Sequence, residues 1–176
     1  MAGFETKHVL VVDDSLTDAE LTIHALKLDG QSPLITWLSA AHEALIYIVN
    51  AGKQKGARRV RPDLVLLEVD ITGMGGMQLL EQLKSDSRTR DIPVVMLSAR
   101  RDRQTVRRCL ELGANSYLTK PDVAIEYIQK IGALARYWLT LHESAEVGTT
   151  RWPETRHASS MDSLVHPPLP PKGPPD

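Results

Sequence analysis

Five short apolar runs, each followed by a segment whose apolar positions recur three and four apart, organise the first 143 residues. His8 to Val12 (HVLVV) is continuous and valine-rich, the pattern of a strand buried on both faces. Ser15 is placed to cap a helix that carries Leu16, Ala19, Ile23 and Leu26 and stops at Gly30. Pro33 to Leu38 predicts a second strand, and Ala40 to Asn50 a second helix. Leu64 to Leu67 predicts a third strand; a glycine-rich turn (Gly73, Gly75, Gly76) leads to a helix with Met77, Leu80 and Leu83. Val94 to Leu97 makes a fourth strand closed by Ser98, and Asp102 opens a fourth helix that ends before Gly113. Ser116 to Thr119 makes a short fifth strand, and a long fifth helix is expected from about Val123 to His142. Strand alternating with helix, with continuously apolar strands, predicts an α/β domain. Its expected form is a flavodoxin-like, doubly wound, five-stranded parallel sheet with helices on both faces.

Residues 144–176 break the pattern. Seven of the eleven prolines fall there, and the chain finishes HPPLPPKGPPD. Proline lacks a backbone donor and fixes φ, so neither a helix nor a central strand runs through such a stretch. A disordered or polyproline-II tail is expected, leaving residues 1–143 as the folded domain.

Composition narrows the class. A single cysteine excludes an intrachain disulfide framework and zinc sites built on cysteine pairs. The longest apolar run, Ala44 to Val49, is far too short to span a membrane, and Met1 to Lys7 lacks the apolar core of a signal peptide. A net charge of -1 argues against general affinity for nucleic acid. A soluble, cytoplasmic protein is the expectation.

In open α/β sheets the binding crevice lies beyond the carboxyl ends of the strands. The first strand ends in Asp13 and Asp14, the third in Glu68, the fourth in Ser98, and the fifth in Thr119 and Lys120. Carboxylates brought together repel one another and lose water, so they call for a hard cation, and magnesium suits this ligand type. A lysine and a hydroxyl beside them could hold an anion. Metal, anion and donors together are what a phosphoryl group requires.

The runs HVLVVDDS, RPDLVLLEVDITGMGG, IPVVMLSA and ANSYLTKP resemble the motifs of response-regulator receiver domains of two-component signalling, over about residues 7–142. The linker before Arg61-Pro62 and the ending RYWL further resemble the single-domain regulators that pair with bacterial phytochrome kinases. The resemblance implies an acidic pocket at Asp13 and Asp14, with Ser98, Tyr117 and Lys120 as switch and phosphate-contact residues. It implies Mg2+ held by Asp13, Asp14 and the residue at position 68, and a sensor histidine kinase, of phytochrome type in that subfamily, as partner. One residue departs from the family. The phosphoacceptor is an aspartate there and is Glu68 here; Thr72 and Gly75 also replace the usual proline and aspartate.

Glutamate can form an acyl phosphate, so the obstacle is geometry. Its extra methylene moves the carboxylate outward by about 1.5 Å, and in-line transfer tolerates little displacement. Little or no phosphorylation of Glu68 is expected. A longer carboxylate near Lys120 and Ser98 can also imitate a phosphoryl group in part. An inactive pocket and a permanent mimic both remain open.

In the fifth helix, Tyr127, Ile131, Leu134, Trp138 and Leu141 form one apolar stripe, and Ile125, Ile128, Gly132, Ala135 and Leu139 another. At about 100° per residue the two diverge by roughly 120°. One stripe can face the sheet; the first is expected to make a homodimer. Basic clusters stand at Lys53, Lys55, Arg58, Arg59 and Arg61, and at Arg100, Arg101, Arg103, Arg107 and Arg108. The second cluster fits an acidic partner; nucleic acid is disfavoured because no aromatic stacking motif accompanies it. The expected function is a stand-alone, atypical receiver that acts by protein contact and is not an enzyme. The alternatives are a magnesium-dependent phosphatase-type hydrolase of related fold and a nucleic-acid-binding regulator using the helix-four arginines.

Overall fold

The computed structural model describes residues 6–28, 30, 32–51 and 61–141. The expected proline-rich tail (144–176) and the basic positions Lys53, Lys55, Arg58 and Arg59 lie outside the described residues. Strands β1 (His8–Val12), β2 (Leu34–Leu38), β3 (Leu64–Glu68), β4 (Val94–Ser98) and β5 (Ser116–Thr119) alternate with five helices. These are α1 (Leu16–Leu28), α2 (Ala41–Val49), α3 (Gly76–Ser85), α4 (Arg103–Glu111) and α5 (Ala124–Arg136). All strand pairs are parallel, in the order β2-β1-β3-β4-β5. That is the doubly wound arrangement expected from the apolar pattern.

Successive residues of a strand point to opposite faces, so the central strands feed two cores. Leu10, Val12, Val65, Leu67, Val94 and Met96 pack with α2, α3 and Cys109 of α4. Val9, Val11, Leu64, Leu66, Val95 and Leu97 pack with α1 and α5. The three central strands are buried throughout, which explains their unbroken apolar runs. Local signals set the helix starts. Ser15 Oγ accepts from the Asp18 N–H at 3.3 Å, and Asp102 Oδ1 accepts from the Thr105 N–H at 2.8 Å.

Helix α5 corrects the expected dimer stripe. The buried positions are Tyr127, Ile131, Ala135 and Leu139, four residues apart, which takes members from both stripes. Tyr127 is 3% and Ile131 0% exposed, so neither is open to a second copy. Leu134 and Trp138 are half-buried against the same core, and only Leu141 of the proposed seam is exposed. The reason is geometric. A step of four residues in an α-helix drifts by about 40°, but the chain widens into a π-helical turn at Tyr137–Leu141. The wider turn brings Leu139 back over the core, and the helix continues past Arg136 in this altered form.

Candidate functional site

The carboxyl ends of β1, β3 and β5 converge on the Lys120 ammonium. Its Nζ lies 2.7 Å from Asp13 Oδ2, 2.7 Å from Asp18 Oδ2 and 2.5 Å from Glu68 Oε2. An ammonium has three N–H donors, and each meets a carboxylate. Main-chain bonds hold the contributing strand ends together: Lys120 N–H donates to the Ser98 carbonyl and Val69 N–H to the Leu97 carbonyl. Asp13 is 1% exposed, with Oδ1 accepting from the Ser15 N–H at 2.9 Å. The Trp37 indole donates to the Asp13 carbonyl at 2.9 Å, bracing the same residue from β2.

Glu68 is buried, and both of its oxygens are engaged. Oε1 accepts from the Asp70 N–H at 3.0 Å while Oε2 meets Lys120. The start of α3 comes so close behind it that a Cβ on Gly76 would stand 2.0 Å from the Glu68 carbonyl oxygen. Only glycine permits that approach, and Gly76 N–H uses it to donate to the Val69 carbonyl. Burial pushes the Glu68 carboxyl above the usual carboxylate range, outweighing the opposing pull of the Asp70 N–H and Lys120. Burial by itself would push the Lys120 ammonium down; its bonds to Asp13, Asp18 and Glu68 prevail and hold it well above the ordinary lysine value.

The structure redistributes the residues expected here. Asp13, Glu68 and Lys120 do come together. Asp14 does not join them: its Oδ2 turns outward to accept from the Thr72 N–H at 2.8 Å. Burial is the largest single influence and raises the Asp14 carboxyl, but the Thr72 hydrogen bonds together outweigh it and hold the group below the usual range. The third carboxylate is Asp18, from the first turn of α1. Among the described residues, Asp13, Asp18 and Glu68 form a group of potential metal donors, with oxygens within 4.8 Å of one another. The expected ligand set was Asp13, Asp14 and Glu68; in this group Asp18 stands beside Asp13 and Glu68, and Asp14 lies at its edge.

Hard carboxylate oxygens of this number suit Mg2+. The Lys120 ammonium now stands among the three carboxylates and neutralises one of their charges, and the two that remain match a divalent ion.

Ser98 and Tyr117 lie at the rim. The Ser98 hydroxyl donates to Asp70 Oδ2 at 3.4 Å and accepts from the Arg100 N–H at 3.0 Å, not from Lys120 or toward Glu68. Arg100 Nε reaches the same Asp70 oxygen at 2.8 Å, and the Tyr117 hydroxyl donates to the Arg100 carbonyl at 3.0 Å. Burial raises the Tyr117 phenol. Ser98, Asp70, Arg100 and Tyr117 thus form one chain across the mouth of the pocket. Three of the expected basic-patch arginines are paired with carboxylates: Arg100 with Asp70, Arg101 with Asp122 and Arg107 with Glu111.

Tyr127, expected at an interface, instead supports the pocket from within. Its hydroxyl meets Thr22 Oγ1 at 2.8 Å, and Thr22 donates to the Asp18 carbonyl at 2.8 Å. Burial foremost pushes the Tyr127 phenol up to about 12.

Known proteins match this arrangement. The family model described as response regulator receiver domain matches residues 9–131. The phosphate regulon transcriptional regulatory protein PhoB of Escherichia coli (strain K12) is 34% identical over 130 residues, covering 74% of this chain and 52% of PhoB. The chain therefore spans about half the length of that relative. The phosphorylated cyanobacterial phytochrome response regulator RcpA superposes with a TM-score of 0.73 at 26% identity, covering 80% of this chain and 99% of RcpA. The Mn2+-bound form of response regulator Rcp1 does so with a TM-score of 0.71 at 25% identity, covering 78% and 98%.

Proposed function

The chain belongs to the response-regulator receiver family, and on that premise we propose that it is an atypical receiver whose pocket works without phosphoryl transfer. Glu68 stands in the place of the phosphoacceptor aspartate, and output is by contact with another protein rather than by catalysis. The observation that carries this reading is the engagement of both Glu68 oxygens, one by Lys120 and one by the Asp70 N–H. A nucleophile must present a free oxygen in line with the incoming phosphorus. Here neither oxygen is free, and the carboxylate is placed by a longer side chain.

The 2.5 Å contact of Glu68 with Lys120 also favours partial mimicry of a phosphorylated state. Ser98 is turned to Asp70, so Glu68 reaches one of the two expected phosphate contacts and the imitation is incomplete. Partners of this kind of module are histidine kinases or other signalling proteins. The likeness to a phytochrome response regulator favours a kinase of phytochrome type, and a cytoplasmic location goes with such a partner. On α5 and the π-helical turn that follows it, the exposed large apolar residues are Ile125, Tyr137 and Leu141.

The test is to treat the full chain with acetyl phosphate and Mg2+ and to measure the intact mass. An unchanged mass is expected; stoichiometric label on Glu68 contradicts the proposal.

A further inference from the structure

We propose that Asp18 is the standing counter-ion of Lys120. It holds the ammonium from the α1 side, and so keeps Asp13 and Glu68, with Asp14 at the edge, available to a divalent ion. The inference concerns the pocket described above but does not rest on whether Glu68 accepts a phosphoryl group.

Three observations carry it. The first is charge. Asp13, Asp18 and Glu68 each give one oxygen to the same ammonium, so one of the three negative charges is matched by Lys120 and two are left for an ion. The second is exposure. Asp13 and Glu68 are buried and gain most from an added cation, because water does little to support their charges. The Asp18 side chain is 38% exposed, so it is the carboxylate that can stay with the ammonium at the rim at least cost. The third is anchorage. Asp18 belongs to the first turn of α1 rather than to a strand end, and its backbone is held on both sides. Its N–H donates to Ser15 Oγ at 3.3 Å, and its carbonyl accepts from Thr22 Oγ1 at 2.8 Å. The buried Tyr127 hydroxyl meets Thr22 Oγ1 at 2.8 Å and ties that turn to α5. The turn that presents the Asp18 carboxylate is thus fixed independently of the strand ends that carry Asp13 and Glu68.

Asp18 is accordingly a positioning residue that acts on the ion through Lys120. Without its charge the ammonium falls wholly to Asp13 and Glu68, the carboxylates an ion needs. A neighbouring unit charge changes the charging of a group by about one to three powers of ten, and the same scale applies to metal uptake. Asp18→Asn should therefore weaken Mn2+ binding at least about tenfold. Where Lys120 is already methionine there is no ammonium to hold, and Asp18 acts only as a partly hydrated carboxylate near the site. The same substitution should then cost clearly less, so the two positions are coupled rather than additive.

The experiment is a titration of the full chain with Mn2+, followed by the spectrum of free Mn2+ in electron paramagnetic resonance, with circular dichroism to report folding. Wild type, Asp18→Asn, Lys120→Met and the double variant complete the cycle. The expected result is a loss of at least about tenfold for Asp18→Asn in the wild type and a smaller loss in the Lys120→Met background. No loss in the wild type overturns the inference. So does an equal loss in both backgrounds, which would mean that Asp18 draws the ion directly. A second measurement needs no variant and decides the matter should Lys120→Met fail to fold. Mg2+ is added to the isotope-labelled wild type, and nuclear magnetic resonance follows the through-hydrogen-bond correlations from the Lys120 ammonium to the carboxyl carbons. The correlation to Asp18 is expected to persist while those to Asp13 and Glu68 weaken. Loss of the Asp18 correlation with either of the others retained overturns the inference.

Discussion

Replacing Lys120 by methionine removes one charge and strands three. Asp13 is 1% exposed and the Glu68 side chain 10%, so both carboxylates lose their partner away from water. Removing one member of a buried ion pair costs about 3–5 kcal/mol, because the charge left behind is uncompensated. The Asp18 side chain is 38% exposed, so its share is that of a surface pair, about 1 kcal/mol or less. The carboxylate oxygens stand within 4.8 Å of one another, and proton uptake by Glu68, already above the usual range, is the available relief. A loss of about 3–5 kcal/mol at neutral pH is therefore expected from urea unfolding in metal-free buffer. The difference from wild type should shrink as pH falls and Glu68, held above the usual carboxylate range, takes up a proton. A loss under about 1 kcal/mol would refute the reasoning, since it would mean that water, not Lys120, balances these charges.

Further outcomes follow from the same geometry. Lys120 is held above the ordinary lysine value of 10.5, so its stabilisation is complete below 10.5 and is lost as pH rises through the folded value. The stability gap between wild type and Lys120→Met should then stay level from neutral pH to 10.5 and narrow only above it, as read by urea unfolding across pH. Gly76→Ala places a methyl 2.0 Å from the Glu68 carbonyl oxygen and should cost about 1–3 kcal/mol in the same assay. Lys84 Nζ donates to the carbonyls of Arg90 and Ile92 and to Asn115 Oδ1, joining α3 to the segments before β4 and β5. Lys84→Met should cost about 1–2 kcal/mol by thermal or urea unfolding.

The fold was legible because its signals are local and repeated. Central strands buried on both faces show up as apolar runs, and strand ends in a parallel sheet share one edge, so Asp13, Glu68 and Lys120 could be brought together from spacing alone. Asp18 was not found that way. It lies inside a helix, and its approach to Lys120 depends on how the first turn of α1 sits over the end of β5; its place three residues after the cap Ser15 was the available hint. Asp14 misled because adjacency in the chain does not set direction: consecutive residues leaving a strand point apart, one into the pocket and one to the Thr72 loop. The α5 stripe misled because periodicity alone does not say which apolar face meets the core: Tyr127 and Ile131 face it, and beyond Arg136 the helix widens and brings Leu139 onto the same face.

The central claim, a receiver closed to phosphoryl transfer at Glu68, is tested most directly by intact-mass measurement of wild type and Glu68→Asp after acetyl phosphate and Mg2+. Shortening the side chain withdraws the carboxylate from Lys120 by about 1.5 Å and frees an oxygen. The account predicts no phosphoryl adduct on the wild type and an adduct on Glu68→Asp. Stoichiometric adduct on wild-type Glu68 would contradict it.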